Sequence, residues 1–180
     1  MVTFRSFAAI LAVVCGLITH APAADATEIK AGVVRQDFSS LWAAGPEFER
    51  GWGLNGEIEF DPVVDLIGLD LSPYVGGTLT PGSEVDKVYA GLGLELGAGP
   101  MFFRLGLGAA LHNGDTEDPD DFFSRRQFGS QVLFHIPVEA GVGIVPGVRV
   151  SLYFDHMSNA GLADYNPGMD TLGLRIGLGF

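Results

Sequence analysis

The sequence predicts an all-β protein, an eight-stranded antiparallel transmembrane β-barrel of outer-membrane type, and three observations carry that prediction. Beyond residue 23 nearly the whole chain alternates apolar and polar residues in segments of about ten, with no stretch of helical period. These segments are even in number and joined alternately by longer and shorter connections, the pattern of barrels that cross a bilayer with strands. The chain also closes on Phe180, at the end of the apolar row Leu172, Leu174, Ile176 and Leu178.

Taken in order, residues 1–23 read as a secretory signal. Arg5 is its only charge, an apolar run follows from Phe7 to Ile18, and Ala21-Pro22-Ala23 supplies a small-x-small cleavage site. Cleavage is expected after Ala23, with Ala24 or Ala26 as alternatives. The run is shorter than the ~20 residues a spanning helix needs. Cys15 is the only cysteine and lies within the signal, so the mature chain is expected to carry no disulfide. At 180 residues the length fits one domain, the barrel, over 24–180.

The first strand is expected at Ile29–Asp37 and the second at Gly53–Phe60, where Leu54, Gly56, Ile58 and Phe60 alternate with Asn55, Glu57 and Glu59. Asp61–Asp70 reads as a partly structured connection. The third strand, Leu71–Thr80, ends at the Pro81-Gly82 turn. The fourth, Lys87–Gly97, sets Val88, Ala90, Leu92, Leu94 and Leu96 against Lys87, Tyr89, Gly91, Gly93 and Glu95. Ala98-Gly99-Pro100 turns into the fifth, Met101–Asn113. The sixth is expected from about Gln127 to Gly143, the seventh starts at Val148 after Val145-Pro146-Gly147, and the eighth ends at Phe180.

Alternation alone does not say which face is inside. The uninterrupted Leu, Val and Phe rows favour an apolar exterior. The opposite rows mix charges with glycines, as a lumen only just wide enough for side chains requires. Arg104, Glu95, His135, Glu139, Arg149 and Arg175 are expected to pair there, with His112 also facing the lumen. Trp42, Trp52 and Tyr165 fall near strand ends, where an interfacial girdle belongs.

Charge and motif content exclude several function classes. With 22 Asp and Glu against 10 Lys and Arg, no basic stripe exists for nucleic acid. The G-x-G repeats open no helix and are not phosphate loops. The acidic Asp115–Asp121 loop lacks the glycine and spaced ligands of a calcium loop. No ligand cluster has the spacing of a zinc site. Neither metal nor cofactor is called for.

One constellation carries chemistry. Along the seventh strand Val148, Val150, Leu152 and Phe154 share the lipid-facing row, and continuing it lands on His156 and Ser158. The last strand's row, followed backwards from Phe180, lands on Asp170. All three side chains therefore project outward from neighbouring antiparallel strands, beside a long loop. A lipid-facing charge costs roughly 2–4 kcal/mol at the bilayer midplane and less near its boundary, where these strand ends lie. Residues i and i+2 of a strand share a face, and directly opposed Cβ atoms stand ~5 Å apart. The spacing therefore suits a triad in which Asp170 orients His156 and His156 activates Ser158. In the loop Asn159, Gly161, Asn166 and Gly168 offer amide and backbone donors to an oxyanion or support for the site.

The stretch His156-Met-Ser-Asn-Ala-Gly161, followed by Asn166-Pro-Gly168, an acid and the run Leu172–Phe180, resembles the lipid A 3-O-deacylase (PagL) family. The specific likeness covers about the last 25 residues. It implies an eight-stranded outer-membrane barrel, with a His/Ser/acid triad falling on His156, Ser158 and Asp170 and facing the outer leaflet. It further implies cofactor-free hydrolysis of the ester-linked 3-position hydroxyacyl chain of lipid A in lipopolysaccharide, among outer-membrane lipids, and it suggests homodimerisation. The family's acid is commonly glutamate, so Asp170 departs by one methylene; Asp164 is the alternative acid. An outer-membrane phospholipase, or a structural barrel with no role for Ser158, are the competing readings.

Overall fold

The computed structural model describes residues 26–40, 42–43, 45–65, 69–82, 85–117 and 125–180. The expected signal, with Cys15 and His20, lies outside the described residues, as do Asp118, Asp120 and Asp121 of the acidic loop.

Eight long strands form one antiparallel wall: β1 (Ala26–Gln36), β2 (Gly51–Phe60), β4 (Leu69–Leu79), β5 (Lys87–Ala98), β6 (Met101–His112), β7 (Val132–Val145), β8 (Val148–Ser158) and β9 (Met169–Gly179). A two-residue β3 (Val64–Asp65) within the expected Asp61–Asp70 connection pairs with the start of β4, which itself takes in Leu69 and Asp70. Neighbours along the wall are neighbours in sequence, apart from β1 pairing with β9 and β2 pairing with β4, which closes the ring. Closure leaves no long strand without a partner on either side, which a bilayer interior demands because no water is present to satisfy a free edge.

The faces sort as the alternation predicts, apolar outward. Leu54, Leu107, Leu152, Leu174 and Ile176 are exposed, Leu174 by 62%. Lys30, Glu57, Lys87, Arg104, Glu139 and Arg175 are buried. A soluble carrier barrel would show the reverse. Among the described residues no helix is long and apolar enough to cross a membrane; the strands take that role.

Charge inside the lumen is matched. Glu57 is the hub, with Arg104 at 3.1 Å, Arg175 at 3.1 Å and Lys30 at 3.8 Å. Arg175 also reaches Glu139 at 3.2 Å, and Lys30 reaches Glu59 at 2.7 Å and Glu139 at 3.0 Å. Towards the short turns Arg149 bridges Glu28 at 2.5 Å and Glu95 at 2.6 Å. Towards the long loops Lys87 pairs with Asp155 and bonds Thr171, while His135 sits between Tyr74 and Tyr89, stacked on Tyr89 at 4.1 Å. The guanidinium of Arg104 lies against Gly93, where any Cβ would displace it. Glycine in these inward rows therefore makes room for long cations.

One expectation is corrected. The sixth long strand begins at Val132, not Gln127. Phe128 turns inward instead, joining Val85, Leu133, Met157 and Met169 in an apolar plug across the loop end of the lumen. Gly129 takes φ +72°, and residues 128–129 bond to Asp115 and Thr116 of the opposite loop arm. Of the three expected girdle aromatics, Trp52 is exposed on the outer wall. Trp42 is 52% exposed as well and also packs on Phe154 and His156; Tyr165 sits half-buried in the β8–β9 loop.

Replacing Arg175 with Met is expected to destabilise the barrel by about 3–5 kcal/mol, because Glu57 and Glu139 lose a buried partner. Urea unfolding of the refolded barrel in detergent, followed by tryptophan fluorescence, measures this; an unmoved midpoint would show that the lumen network adds no stability.

Candidate active site

The site forms where β8 ends and β9 begins, at the long-loop end of the barrel. In the β8–β9 ladder His156 lies directly opposite Asp170. The imidazole Nδ1 stands 2.7 Å from Asp170 Oδ1, and Nε2 stands 2.9 Å from Ser158 Oγ, two residues along the same face. A carboxylate only accepts, so Nδ1 carries the proton and Nε2 is left to accept the Ser158 hydroxyl. The register brings an aspartate within reach without the extra methylene of glutamate. Asp164, the alternative acid, is exposed in the loop.

Parity places the three residues outward, yet Asp170 and His156 are covered and only Ser158 keeps an opening. Asp170 is 0% and His156 9% exposed, and Ser158 is half-buried. The β1–β2 connection folds over them. Asp170 Oδ2 accepts the Ser40 hydroxyl and, at 3.0 Å, the Ala43 N–H. The Trp42 ring meets His156 edge-on at 5.3 Å. An outward ionisable pair is thereby shielded from lipid by its own chain. The alternation along one strand carries no trace of this, because the roof comes from a loop more than a hundred residues away in sequence.

The β8–β9 loop is held from within. Asn159–Leu162 makes a tight turn with Ala160 at φ +55° and Gly161 at φ +79°, closed by Leu162 N–H to the Asn159 carbonyl at 3.1 Å. Asn159 Nδ2 donates to the carbonyls of Phe128, at 2.9 Å, and Tyr165, at 2.5 Å. Its backbone N–H donates to Asn166 Oδ1 at 2.9 Å, and Gly161 N–H donates to Asn159 Oδ1 at 2.9 Å. The donors of Asn159 and Gly161 expected at an oxyanion are thus spent inside the loop. With Asn166 accepting from Asn159, the bonds of these three residues are those of loop support.

Two residues that the sequence reading left without this part complete the frame. Gly168, at φ +62°, lies so close to the imidazole that a Cβ would fall 2.8 Å from His156 Cε1; both backbone and space require glycine. Arg126, buried in the β6–β7 loop, donates to the Gly168 carbonyl at 2.8 Å, the Pro46 carbonyl at 2.7 Å and the Asp37 carboxylate at 2.7 Å. It fastens three loops together. Burial pushes the Asp37 carboxyl above the usual aspartate range, against the opposing pull of the Glu49 N–H and Arg126. Relative to the unfolded chain, the folded state holds this proton more tightly, so the group's contribution to stability falls as pH rises through the raised value.

A groove of about 480 Å³ lined by Ala109, Val132, Phe134, Asn159 and Leu162 lies next to the site; none of the three residues lines it, but Phe134 is the strand partner of Ser158 and Asn159 follows Ser158 in the chain. A larger cavity of about 630 Å³, among Glu28, Glu95, Phe102 and Arg149, is the lumen mouth at the opposite end and touches none of the three residues. Among the described residues no group of three His, Cys, Asp or Glu is placed to hold a metal ion.

Fold and site together define a transmembrane barrel of outer-membrane type with a Ser-His-Asp arrangement on its outer wall. Comparison with known proteins narrows this. The profile of the lipid A 3-O-deacylase (PagL) family matches residues 38–179, and the chain belongs to that family. A curated relative, lipid A deacylase PagL of Bordetella bronchiseptica strain RB50, is 29% identical over 114 residues, covering 59% of this chain and 60% of the relative. The match thus spans less than two thirds of the relative's length. Among solved structures, the outer membrane enzyme PagL superposes with a TM-score of 0.61 at 20% identity, covering 85% of this chain and 99% of that one. Neisserial surface protein A gives 0.53 at 11% identity, covering 88% and 100%. Ail of Yersinia pestis gives 0.52 at 10%, covering 87% and 100%. At these identities the likeness is one of fold.

Gly168→Ala is expected to leave the barrel folded but to slow fluorophosphonate labelling of Ser158 by about tenfold or more, since small misplacements of reacting groups are costly. Labelling at the wild-type rate would show that Gly168 does not set the imidazole's position.

Proposed function

We propose that this protein is a serine hydrolase of the outer membrane that removes the ester-linked 3-position hydroxyacyl chain from lipid A. The observation that carries the reading is the hydrogen-bonded line Asp170–His156–Ser158, at 2.7 and 2.9 Å, in a chain of the lipid A 3-O-deacylase family. Its position supports the same substrate. The site stands at the long-loop end of the wall, and outer-membrane barrels carry their longer loops on the extracellular side, which sets the site at the outer leaflet, where lipid A resides.

In this reading His156 Nε2 takes the Ser158 proton as Oγ attacks the ester carbonyl. The proton then passes to the departing sugar 3-oxygen, and Ser158 is left acylated. Water, deprotonated by His156, attacks the acyl-enzyme and frees the hydroxy fatty acid, so one ester and one water become one acid and one alcohol. Asp170 holds the tautomer and stabilises the imidazolium. The apolar groove beside Phe134 and Leu162 offers the acyl chain a lining of its own kind. No step calls for a cofactor.

Purified protein incubated with lipopolysaccharide is expected to release one hydroxyacyl chain per lipid A, seen by mass spectrometry as a single mass loss, and Ser158→Ala to abolish it. Release of acyl chains from phospholipid instead would move the assignment to a phospholipase. No product from either lipid would favour the structural barrel. Asp170→Asn is expected to lower turnover about 10³–10⁴-fold with the barrel intact; an unchanged rate would remove Asp170 from the mechanism.

A further inference from the structure

Asp170 is fully buried, and a buried carboxylate is tolerable only when its oxygens are met by donors. His156 Nδ1 meets Oδ1. Oδ2 is met by two groups from the β1–β2 connection, the Ser40 hydroxyl and the Ala43 N–H. The direction of the Ser40 bond is fixed on the other side: Ser40 Oγ accepts the Trp42 N–H at 3.0 Å. With an acceptor position filled by that amide, the hydroxyl's single proton is turned towards Asp170. The segment is itself pinned, since Ser40 N–H donates to the Ala43 carbonyl at 3.5 Å and Phe38 N–H to the Asp170 carbonyl at 3.4 Å.

From this geometry we propose that Ser40 is a positioning residue of the reaction, extending the triad to a line of four, Ser40–Asp170–His156–Ser158. The inference rests on the hydrolytic reading above and adds to it a part for the first long loop. A carboxylate with both oxygens bonded cannot swing about its Cβ–Cγ bond, so Nδ1 keeps its partner while the imidazole gains and loses the serine proton. Ser40 touches neither substrate nor reacting atoms. It acts through Asp170, and its removal falls on turnover rather than on binding. The same loop lays Trp42 on the imidazole edge, so holding the acid and covering the histidine are done by one segment.

The test is a double-mutant cycle in the full-length barrel, scored first by the rate of fluorophosphonate labelling of Ser158, which needs no lipid, and then by deacylation of lipopolysaccharide. Ser40→Ala is expected to slow labelling and lower kcat about ten- to a hundredfold with KM unchanged, as for loss of a hydrogen bond to a charged group. Ser40→Thr, which keeps the hydroxyl, is expected to restore the rate to within roughly threefold. In an Asp170→Asn background Ser40→Ala is expected to add less than about twofold, because it acts only through that carboxylate. Wild-type rates in Ser40→Ala, or the same fractional loss with and without Asp170, would overturn the proposal. Wild-type protein that labels on Ser158 but releases nothing from lipopolysaccharide would sink the lipid A reading alone, and the labelling cycle would still decide on Ser40.

Discussion

Ring closure is the constraint on which the rest of this molecule depends. A wall with Leu, Ile and Val outside has no water on that side to satisfy a free strand edge, so β2 must find β4 and β1 must find β9. Once closed, the ring turns the polar rows into a lumen too narrow for bulk solvent. Every charge that alternation sends inward must then meet an opposite charge or lose several kcal/mol of hydration unanswered. Glu57, reached by Arg104, Arg175 and Lys30, is where that matching concentrates. The inward glycines are the steric counterpart, giving the long cations somewhere to lie.

The site uses the same wall at its rim. His156 and Asp170 face each other by register alone, and Ser158 follows by the two-residue repeat of the strand. No loop is needed to bring the three together, which gives the arrangement the rigidity of the ladder. Loops are needed for the opposite task of keeping two ionisable groups on an outward face away from lipid. The β1–β2 connection does this by covering them, the β8–β9 loop by placing Gly168 against the ring, and Arg126 by tying both to the β6–β7 loop.

Met157 and Met169, flanking the site residues on the opposite parity, enter the apolar plug at the end of the lumen. Inward and outward rows of the same two strands thus perform separate tasks within a few residues: one seals the barrel while the other carries polar groups. Asp155 shows the same division, buried on Lys87 one residue before His156 turns outward.

The sequence by itself determined the strand content, the parity of each face, which connections are long and which short, and the shared outward face of His156, Ser158 and Asp170. All of these follow from a repeat of two along a strand, which a linear chain displays openly. It gave a false start for β7, since Phe128 has the alternation of a strand but turns inward to the plug. It showed nothing of the contact between Trp42 and His156, and it treated Asn159 and Gly161 as free donors where the loop consumes them. The contacts of Ser40, Ala43, Arg126 and Gly168 with the site belong to tertiary structure alone. Each depends on where a loop lands after the ring has closed, and no periodicity along the chain records a meeting between residues 40 and 170.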